Sequence, residues 1–292
     1  MTTNIQSKNI DGKAIAQTIR DELKAKIKKQ AGERAPGLAV ILVGDDPASS
    51  FYVNKKQESC AEVGIESFKT VLPNDATKED VIKVIEGYNS DEKVDGILLQ
   101  LPLPDAIRKD TQEVVDHIDA AKDVDGLTTE NLGMLVTNDK RAVYPCTPKG
   151  CMELLSRSNV ELSGARVLVI GRSTLVGKPI SLMLNQANAT VTMAHSRTQD
   201  LDTELAQADV VVAAIGVAEF LKGNKLKPGA VVIDVGINSI ERDGKKKLVG
   251  DVDFASAQGI ASQITPVPGG VGPMTVAMLL SNCLELYLRK LA

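Results

Sequence analysis

Five short apolar runs, separated by helical or glycine-rich stretches, constrain the fold of this chain more than any other feature. They are LAVILVG (38–44), VDGILLQLPLP (94–104), RVLVIG (166–171), ADVVVAAIG (208–216) and AVVIDVG (230–236). Runs that are apolar at nearly every position are typical of parallel strands covered on both faces. The segments between them carry helical spacing, as at Ile15, Ile19 and Leu23 within residues 11–30. The alternation predicts an α/β protein with parallel sheets covered by helices.

A stretch without strong periodicity divides this series into two parts. It covers residues 120–150 and ends in YPCTPKG, whose prolines and glycine are typical of a crossing between domains. The length of 292 residues is sufficient for two ordinary domains. We predict a first domain at 1–147, completed by 270–292 with a helix from about Met274, and a second domain at 148–269.

Charge and residue usage exclude several classes of function. A net charge of −4 provides no basic field for nucleic acid, and no apolar run approaches the length of a membrane span. The four cysteines are scattered and there are only two histidines, so we expect reduced thiols and no metal site. The segment MTTNIQSKNID lacks the apolar core of a signal peptide. These features predict a cytoplasmic protein without a nucleic-acid or membrane partner.

The segment VIGRSTLVGKP (169–179) joins a predicted strand to a predicted helix and approximates two phosphate-binding patterns. A triphosphate loop requires GxxxxGK followed by Ser or Thr, but five residues separate Gly171 from Gly177, and Pro179 follows the lysine. The dinucleotide pattern fits more closely, as Gly171-x-Ser173-xxx-Gly177 between strand and helix. There the amides at the helix start would face a phosphate. The alternative is a tight turn without a ligand.

The residues after the next strand indicate which dinucleotide would bind. The strand ATVTMAH is followed by Ser196, Arg197 and Thr198, whereas an NAD-binding unit carries Asp or Glu there for the ribose hydroxyls. Arg172 lies in the glycine turn itself. Cations and hydroxyls at these points suit a ribose 2′-phosphate, so the sequence favours NADP. Solvated basic residues are the alternative.

A candidate group for chemistry lies in the first domain. Ser49, Tyr52 and Lys56 stand at i, i+3 and i+7 of a helix predicted over 47–64 and therefore share a face. A ring and an amine on one stripe can stack a flat heterocycle and hold a base beside it; a solvated surface is the alternative. Gln100 follows GILL at the carboxyl end of a predicted strand, the edge where ligands bind in open α/β sheets.

Two loops are ambiguous from their pattern alone. Asp123 and Asp125 lie in KDVDG, where a carboxylate either caps a turn or holds a ligand. The segment PGGVGPMT (268–275) either brings backbone amides to a ligand or only turns the chain.

Eight segments occur in the order found in one enzyme family. They are DDPASSFYVNKKQESCAEVGI, GILLQLPLP, KDVDG, YPCTPKG, VIGRSTLVGKP, VIDVGIN, GDVDF and PVPGGVGPMT. Together they resemble, over nearly the whole chain, the bifunctional methylenetetrahydrofolate dehydrogenase/methenyltetrahydrofolate cyclohydrolases. The resemblance implies an N-terminal α/β domain for the tetrahydrofolate substrate, a Rossmann-type NADP-binding domain and a C-terminal helix that returns to the first domain. It also implies oxidation of 5,10-methylenetetrahydrofolate with NADP, hydrolysis of the product, and a homodimer.

The resemblance also assigns roles to residues. Lys56 matches the catalytic lysine, Tyr52 the ring partner of the folate, Gln100 the side chain that positions the lysine, and Asp125 the carboxylate that holds the pterin. Substrate contacts are implied for Ser49, Tyr52, Gln100, Leu101, Asp125, Pro268, Gly269 and Gly270. Cofactor contacts are implied for Gly171, Arg172, Ser173, Ser196, Arg197, Gly216, Ile237 and Thr275.

Four positions depart from the family pattern without removing a residue of assigned role, namely Glu58, Leu127, Ala194 and Ala218. Two other hypotheses remain open from the sequence. One is a two-domain Rossmann dehydrogenase that acts on a small acid, and the other is a non-catalytic dinucleotide sensor. The polar group of Tyr52, Lys56, Gln100 and Asp125 counts against a sensor, which would not need it.

Overall fold

The computed structural model describes residues 5–30, 34–242 and 244–291. The first elements in chain order are β1 (Lys8–Asn9), α1 (Gly12–Gln30), β2 (Gly37–Val43), α2 (Pro47–Val63), β3 (Glu66–Leu72), α3 (Lys78–Ser90), β4 (Gly96–Leu99), α4 (Thr111–Val115) and α5 (Thr129–Val136). They are followed by α6 (Cys146–Arg157), β5 (Arg166–Ile170), α7 (Gly177–Gln186), β6 (Thr190–Ala194), α8 (Leu201–Gln207), β7 (Val210–Ala213), β8 (Val231–Asp234), β9 (Asn238–Arg242), β10 (Lys245–Val249), α9 (Phe254–Ala257), β11 (Gln263–Ile264) and α10 (Val271–Leu291).

The chain divides into two compact units, and their boundaries differ from the predicted ones. The three-stranded unit comprises Gln17–Cys146 and Val276–Ala292, and the six-stranded unit comprises Met1–Ala16 and Thr147–Thr275. Residues 1–16 were predicted in the first domain, but β1 hydrogen-bonds in parallel with β11 and belongs to the six-stranded unit. A strand of two residues carries no periodicity that a sequence pattern can detect.

The three-stranded unit contains a parallel sheet in the order β3-β2-β4. Every residue of β2 and β4 is buried, as their uniformly apolar runs predict. The main core cluster combines side chains of these strands with α3, α4 and the loops beside them, including Ile41, Ile97, Val81, Ile85, Leu103 and Val114. The rigid sheet fixes where the segments that leave β2 and β4 begin.

Helix α2 has the ends that its sequence predicts. Asp46 caps the first turn, and its carboxylate accepts a hydrogen bond from the Ser49 backbone N–H at 2.7 Å. Gly64 ends the helix with φ of 90°, a left-handed conformation that glycine adopts without steric cost. The two ends set the register of the helix, and with it the direction in which Lys56 projects.

The six-stranded unit contains a sheet in the order β1-β11-β8-β7-β5-β6, and all its pairings are parallel. From β5 the chain continues to β6 on one side and then crosses to β7 on the other side of β5. Where the strand order reverses in this way, a crevice forms outside the carboxyl ends of the two diverging strands, and ligands bind there. The topology confirms a Rossmann-type architecture and directs attention to the loops after β5 and β7.

An antiparallel hairpin of β9 and β10, which the sequence analysis did not predict, follows β8. Its register runs from Asn238 opposite Val249 to Arg242 opposite Lys245. Most of its residues are exposed, so no apolar alternation marks the strands. The available signal was the dipeptide Asp243-Gly244, which favours two-residue hairpin turns, and Gly244 has φ of 69°.

Helix α10 is more apolar than predicted from the sequence, in which no apolar run was expected to approach the length of a membrane span. Among the described residues it is the one helix long and apolar enough to span a bilayer, with a mean hydropathy of 1.3 over its most apolar stretch. In this fold 61% of that stretch is buried within the protein, as in the core helix of a soluble protein. Its buried side chains include Cys283, Leu284 and Tyr287.

The four departures from the family pattern occupy ordinary structural positions. Leu127 is buried in the core of the three-stranded unit, and Ala194 is buried at the end of β6. Glu58 forms a surface ion pair with Lys55 at 2.7 Å. Ala218 lies partly exposed in the loop after β7.

Candidate active site

An amine and a carboxamide meet at the carboxyl ends of β2 and β4. The two strands are parallel neighbours, with Ile41 opposite Leu99. The chain leaves β2 towards α2, which carries Lys56, and it leaves β4 at Gln100, whose backbone N–H donates to the Ile41 carbonyl at 2.9 Å. The Lys56 Nζ donates a hydrogen bond to the Gln100 Oε1 at 2.8 Å. Parallel strand order therefore brings together two predicted site residues that are distant in sequence.

The orientation of the Gln100 carboxamide is fixed from its other end. Its Nε2 donates to the Leu101 carbonyl at 2.6 Å, so the oxygen is the atom that faces the lysine. A carboxamide oxygen accepts an N–H without adding a negative charge. Gln100 therefore holds the Lys56 amine without strongly favouring its protonated form.

The surroundings of Lys56 favour a neutral amine. Burial lowers the pKa of the Lys56 ammonium, because the charged form loses hydration, and the nearby Asp125 carboxylate opposes this effect. Cys60 lies one helical turn further on, and burial raises the pKa of its thiol to about 12. The thiol is therefore uncharged at neutral pH and does not stabilise the ammonium. An uncharged amine has the lone pair that a proton acceptor needs.

The two carboxylates of KDVDG have different surroundings. Asp123 is buried and accepts hydrogen bonds from the Gly126 N–H at 2.9 Å, the Thr128 N–H at 2.8 Å and the Asn131 Nδ2 at 3.0 Å. The turn-capping interpretation therefore applies to Asp123. Asp125 is partly exposed; burial raises the pKa of its carboxyl, Lys56 opposes this, and a hydrogen bond with the Cys146 thiol also favours the charged form.

The face of α2 that Ser49, Tyr52 and Lys56 share contains both buried and exposed side chains. Ser49 is buried near the start of α2, whereas the Tyr52 ring, less than one turn later, is 45% exposed. Lys56 and Leu101 are partly buried. An exposed ring that precedes a buried amine on one stripe fits a flat ligand that stacks on the ring and presents its reactive atom to the amine.

The glycine loop after β5 is tightened by contacts between backbone segments. A Cβ on Gly171, which has φ of 124°, would lie 2.1 Å from the Ala214 carbonyl oxygen. A Cβ on Gly177 would lie 2.2 Å from the Gly171 carbonyl oxygen. Both glycines are thus required by the turn itself.

The first amides of α7 are also used within this turn, contrary to the prediction that they face a phosphate. The Ser173 Oγ accepts from the Val176 N–H at 3.2 Å and from the Gly177 N–H at 3.4 Å. The Lys178 N–H donates to the Ser173 carbonyl at 3.0 Å. A phosphate at this loop would therefore depend on the exposed segment at Arg172 and Ser173 rather than on these three amides.

The turns after β5 and β6 start side by side. The Gly171 N–H donates to the Ala194 carbonyl at 2.9 Å, so the first residues beyond each strand are neighbours. The second turn is closed by the His195 Nδ1, which accepts from the Arg197 N–H at 3.1 Å. Arg172, Ser196 and Arg197 are all exposed. Two guanidinium groups and a hydroxyl on adjacent turns fit a ribose 2′-phosphate.

The glycine–proline loop before α10 packs on the start of α1, within the six-stranded unit. The Lys13 N–H donates to the Gly269 carbonyl at 2.9 Å, and a Cβ on Gly12 would lie 1.9 Å from the Gly270 carbonyl oxygen. Pro268 is exposed at the loop tip. At the start of α10, the Thr275 hydroxyl lies 3.0 Å from the Thr147 hydroxyl.

The comparisons with known proteins agree with this geometry. Residues 10–125 match the model of the tetrahydrofolate dehydrogenase/cyclohydrolase catalytic domain, and residues 145–291 match the model of its NAD(P)-binding domain. The chain belongs to the tetrahydrofolate dehydrogenase/cyclohydrolase family. The catalytic-domain match contains Lys56, Gln100 and Asp125, and the NAD(P)-binding match contains both turns described above.

Individual members of the family are similar over nearly their full length. The bifunctional protein FolD of Geotalea uraniireducens is 52% identical over 97% of this chain and 100% of its own. The crystal structure of the bifunctional FolD methylenetetrahydrofolate dehydrogenase/cyclohydrolase of Campylobacter jejuni has a TM-score of 0.93 at 43% identity, over 97% of this chain and 99% of its own. The FolD structure of Trypanosoma brucei, complexed with NADP and an inhibitor, also has a TM-score of 0.93, at 38% identity over 98% of this chain and 99% of its own.

Membership of the tetrahydrofolate dehydrogenase/cyclohydrolase family decides between the hypotheses from the sequence. It confirms the predicted family, fold class and NADP-dependent dehydrogenase/cyclohydrolase activity, in preference to a small-acid dehydrogenase or a sensor. Within residues 5–30, 34–242 and 244–291, no group of three or more His, Cys, Asp and Glu side chains is able to hold a metal ion.

Sequence reasoning missed a residue of α10 that supports Asp125. Asn282 is buried, and its Nδ2 donates to the Val124 carbonyl at 2.8 Å and to the Tyr144 carbonyl at 3.0 Å. The Cys146 Sγ donates to the same Val124 carbonyl at 3.2 Å. These bonds hold the backbone on the N-terminal side of Asp125. The available signal was a single amide in the apolar stretch MLLSNCLELYL.

Two further aspartates, Asp234 and Asp251, were missed in the six-stranded unit. Asp251 accepts the N–H of Gly216, a residue with an implied cofactor contact, at 2.9 Å. Asp234 in turn accepts the N–H of Asp251 at 2.9 Å. Both lie in segments shared with the family, VIDVGIN and GDVDF, but no local pattern indicated a role for them.

Proposed function

We propose that this chain oxidises 5,10-methylenetetrahydrofolate to 5,10-methenyltetrahydrofolate with NADP and then hydrolyses the product to 10-formyltetrahydrofolate. The observation that carries the proposal is the partly buried Lys56 amine, held by Gln100 at 2.8 Å within electrostatic range of Asp125. A nicotinamide dehydrogenase alone would not need such an amine, whereas a hydrolytic step that follows it does.

In the oxidation step the chain's residues orient the folate. NADP, when bound, accepts the hydride from the one-carbon bridge. The Tyr52 ring offers a surface on which the folate stacks, and the resulting cation is shared by two ring nitrogens, so the step needs correct positioning more than a strong base. Lys56 in its neutral form adds no positive charge beside the cation that develops.

In the hydrolysis step Lys56 acts as the proton acceptor. Water attacks the methenyl carbon, and the neutral Nζ takes a proton from that water. The bond between this carbon and N5 then breaks, N5 takes up a proton, and the hydroxyl proton leaves as the formyl C=O forms, so that one proton is released overall. Gln100 keeps the amine in place through one N–H and leaves the nitrogen lone pair for the transfer. Burial lowers the pKa of the lysine and so increases the share of neutral amine that is available for this transfer.

Asp125 anchors the pterin in both steps. A carboxylate accepts paired hydrogen bonds from a ring N–H and the adjacent amino group, a geometry similar to bidentate recognition by guanidinium.

A comparison of Lys56→Ala with Lys55→Ala tests the proposed function. Lys55 is the adjacent, surface lysine that pairs with Glu58, so both variants lose one lysine side chain on the same helix. With supplied methenyltetrahydrofolate, Lys56→Ala should slow hydrolysis roughly a hundredfold to ten-thousandfold, while Lys55→Ala remains active. Unchanged hydrolysis in Lys56→Ala would contradict the role of the amine. Absence of NADPH formation by the unaltered protein would contradict the dehydrogenase assignment.

Two finer properties form part of the proposal. We propose a cytoplasmic enzyme of one-carbon metabolism whose product supplies formyl groups for purine synthesis. We also propose a homodimer formed through the six-stranded unit. Strand β6 supports this because it is the last strand in the sheet order and exposes Met193, and an edge strand offers backbone groups for pairing. Light scattering at micromolar concentration distinguishes the dimer from a monomer.

A further inference from the structure

Three successive backbone amides of the loop after β7 converge on one carboxylate. The Asp251 Oδ2 accepts from the Ile215 N–H at 2.6 Å and from the Gly216 N–H at 2.9 Å, and the Asp251 Oδ1 accepts from the Val217 N–H at 3.0 Å. Asp251 is completely buried. Converging amides of this kind form an anion-binding concavity, and here the protein fills it with its own side chain.

The same carboxylate reaches the segment after β8. The Asn238 Nδ2 donates to the Asp251 Oδ1 at 2.9 Å, and Asn238 directly follows Ile237, whose side chain is 51% exposed. Gly216 and Ile237 are the two implied cofactor contacts on this side of the sheet. Asp251 therefore connects the two loops that carry them.

Asp251 is itself held by the second buried aspartate. The Asp234 carboxylate accepts from the N–H of Asp251 at 2.9 Å, of Val252 at 2.9 Å and of Gly236 at 3.0 Å. There is no room to rearrange, since a Cβ on Gly250 would lie 1.8 Å from an Asp234 oxygen and a Cβ on Gly236 would lie 2.1 Å from an Asp251 oxygen. The two carboxylates thus fix the ends of β7 and β8 relative to each other.

The position of this network indicates which part of a dinucleotide it serves. The basic turns at Arg172 and Arg197 lie on the β5–β6 side of the switch point and suit the 2′-phosphate of the adenosine half. A dinucleotide that crosses the switch point brings its other half to the β7–β8 side. Because the amides of 215–217 already donate to Asp251, the exposed turn at Gly216 has none of these three N–H groups free for a phosphate.

We propose that Asp251 is a positioning residue for the nicotinamide half of NADP, acting through the backbone of Gly216 and through Asn238. The inference rests on the proposed use of NADP. It requires that loss of the carboxylate weaken binding of the complete cofactor while binding of the adenosine half remains.

The experiment compares Asp251→Asn with Asp253→Asn. Asp253 lies two residues later and loses the same charge, but its carboxylate caps α9 and pairs with Lys222 at 3.2 Å instead of accepting from the amides of 215–217. Dissociation constants are measured by calorimetry for NADP and for 2′,5′-ADP, which carries only the adenosine end. Asp251→Asn should raise the NADP dissociation constant and the KM for NADP about tenfold, because one acceptor oxygen becomes a donor that faces N–H groups.

The remaining readouts separate positioning from a general loss of structure. Binding of 2′,5′-ADP and hydrolysis of supplied methenyltetrahydrofolate should be unchanged in Asp251→Asn, and all readouts should be unchanged in Asp253→Asn. Equal losses for NADP and 2′,5′-ADP would overturn the proposal, as would no loss for either. Should Asp251→Asn not fold, Asn238→Ala removes one of the four hydrogen bonds and must weaken NADP in the same direction. If the unaltered protein binds no NADP, the proposed function itself fails.

Discussion

Asp251 of the six-stranded unit and Asp125 of the three-stranded unit are held in opposite ways. In the six-stranded unit, Asp251 accepts four N–H groups of the protein, three from backbone and one from Asn238. In the three-stranded unit, the near neighbours of Asp125 are a thiol and an amine, and burial raises the pKa of its carboxyl. A carboxylate saturated by backbone fixes the shape of a loop, whereas one held next to titratable side chains is suited to recognise a ligand. Within one chain, the carboxylate that fixes a loop and the carboxylate that is suited to bind a ligand are therefore distinguished by their hydrogen-bond partners.

Asn282→Leu gives the largest expected effect and tests whether the loop that carries Asp125 depends on the two hydrogen bonds that Asn282 donates to its backbone. The change removes the amide donor from the carbonyl oxygens of Val124 and Tyr144, and the Val124 oxygen keeps the Cys146 thiol as a donor. One unsatisfied group costs about 1–3 kcal/mol, so the free energy of unfolding should fall by roughly 2 kcal/mol. Denaturant titration measures it, with the neighbouring Ser281→Ala as the control. An unchanged denaturation midpoint would mean that these hydrogen bonds do not stabilise the fold.

Gln100→Glu sharpens the claim that Lys56 works as a neutral amine. A negative charge in place of the carboxamide favours the ammonium, so the pKa of Lys56 rises. Because the neutral form is the active one, the hydrolysis rate increases with pH through this pKa. The rising limb of the pH–rate profile should therefore move to higher pH in the variant. Glu58→Gln, which alters a surface charge on the same helix, should leave the limb in place. A limb that does not move in Gln100→Glu would exclude Lys56 as the titrating base.

The pH dependence of stability tests the electrostatics of Asp234. Burial raises the pKa of its carboxyl from 3.8 to about 6. Between these values the folded protein binds more protons than the unfolded chain, so this contribution to the free energy of unfolding is greatest at low pH and is lost as pH rises through about 6. The slope in this window is at most about 1.4 kcal/mol per pH unit. Denaturant titrations between pH 4 and 7 should show this slope as a difference from Asp234→Asn; identical slopes would contradict the raised pKa.

Cofactor preference gives the smallest expected effect. Arg172→Ala and Arg197→Ala should each lower the ratio of NADP to NAD efficiency by about tenfold, through loss of a charge-assisted contact with the 2′-phosphate. Arg166→Ala is the matched control, since Arg166 is an exposed arginine at the opposite end of β5. An unchanged ratio in both variants would place the 2′-phosphate away from these turns.

The sequence was most informative where the physical cause was local. Uniformly apolar runs predicted β2, β4, β5, β7 and β8 because strands buried on both faces have no polar side. The pairing of Lys56 with Gln100 was implied by the family resemblance, and the basic turns were identified from the absence of an acidic residue after β6. The roles of these residues in catalysis and binding stay predictions.

The features that escaped prediction depend on contacts between distant segments. Asp251 differs in no local way from an aspartate in a turn, and its partners at 215–217 are more than thirty residues away. Asn282 lies in an apolar helix whose pattern conveys only burial. Strand β1 is recognisable only through its pairing with β11. The prediction that the amides at the start of α7 face a phosphate did not include the Ser173 hydroxyl, which accepts hydrogen bonds from two amides of this turn.

The division of the chain has a consequence for its biosynthesis. Residues 276–291 belong to the three-stranded unit, and there the Tyr287 hydroxyl donates to the Arg34 carbonyl at 2.7 Å, while Lys290 donates to the Val94 carbonyl at 2.9 Å. The ribosome makes these residues only after it has made the whole second sheet. Most of the three-stranded unit is translated first, but its core can be completed only after α10 has been made. The six-stranded unit, most of which is translated later, is therefore the first whose core can be completed.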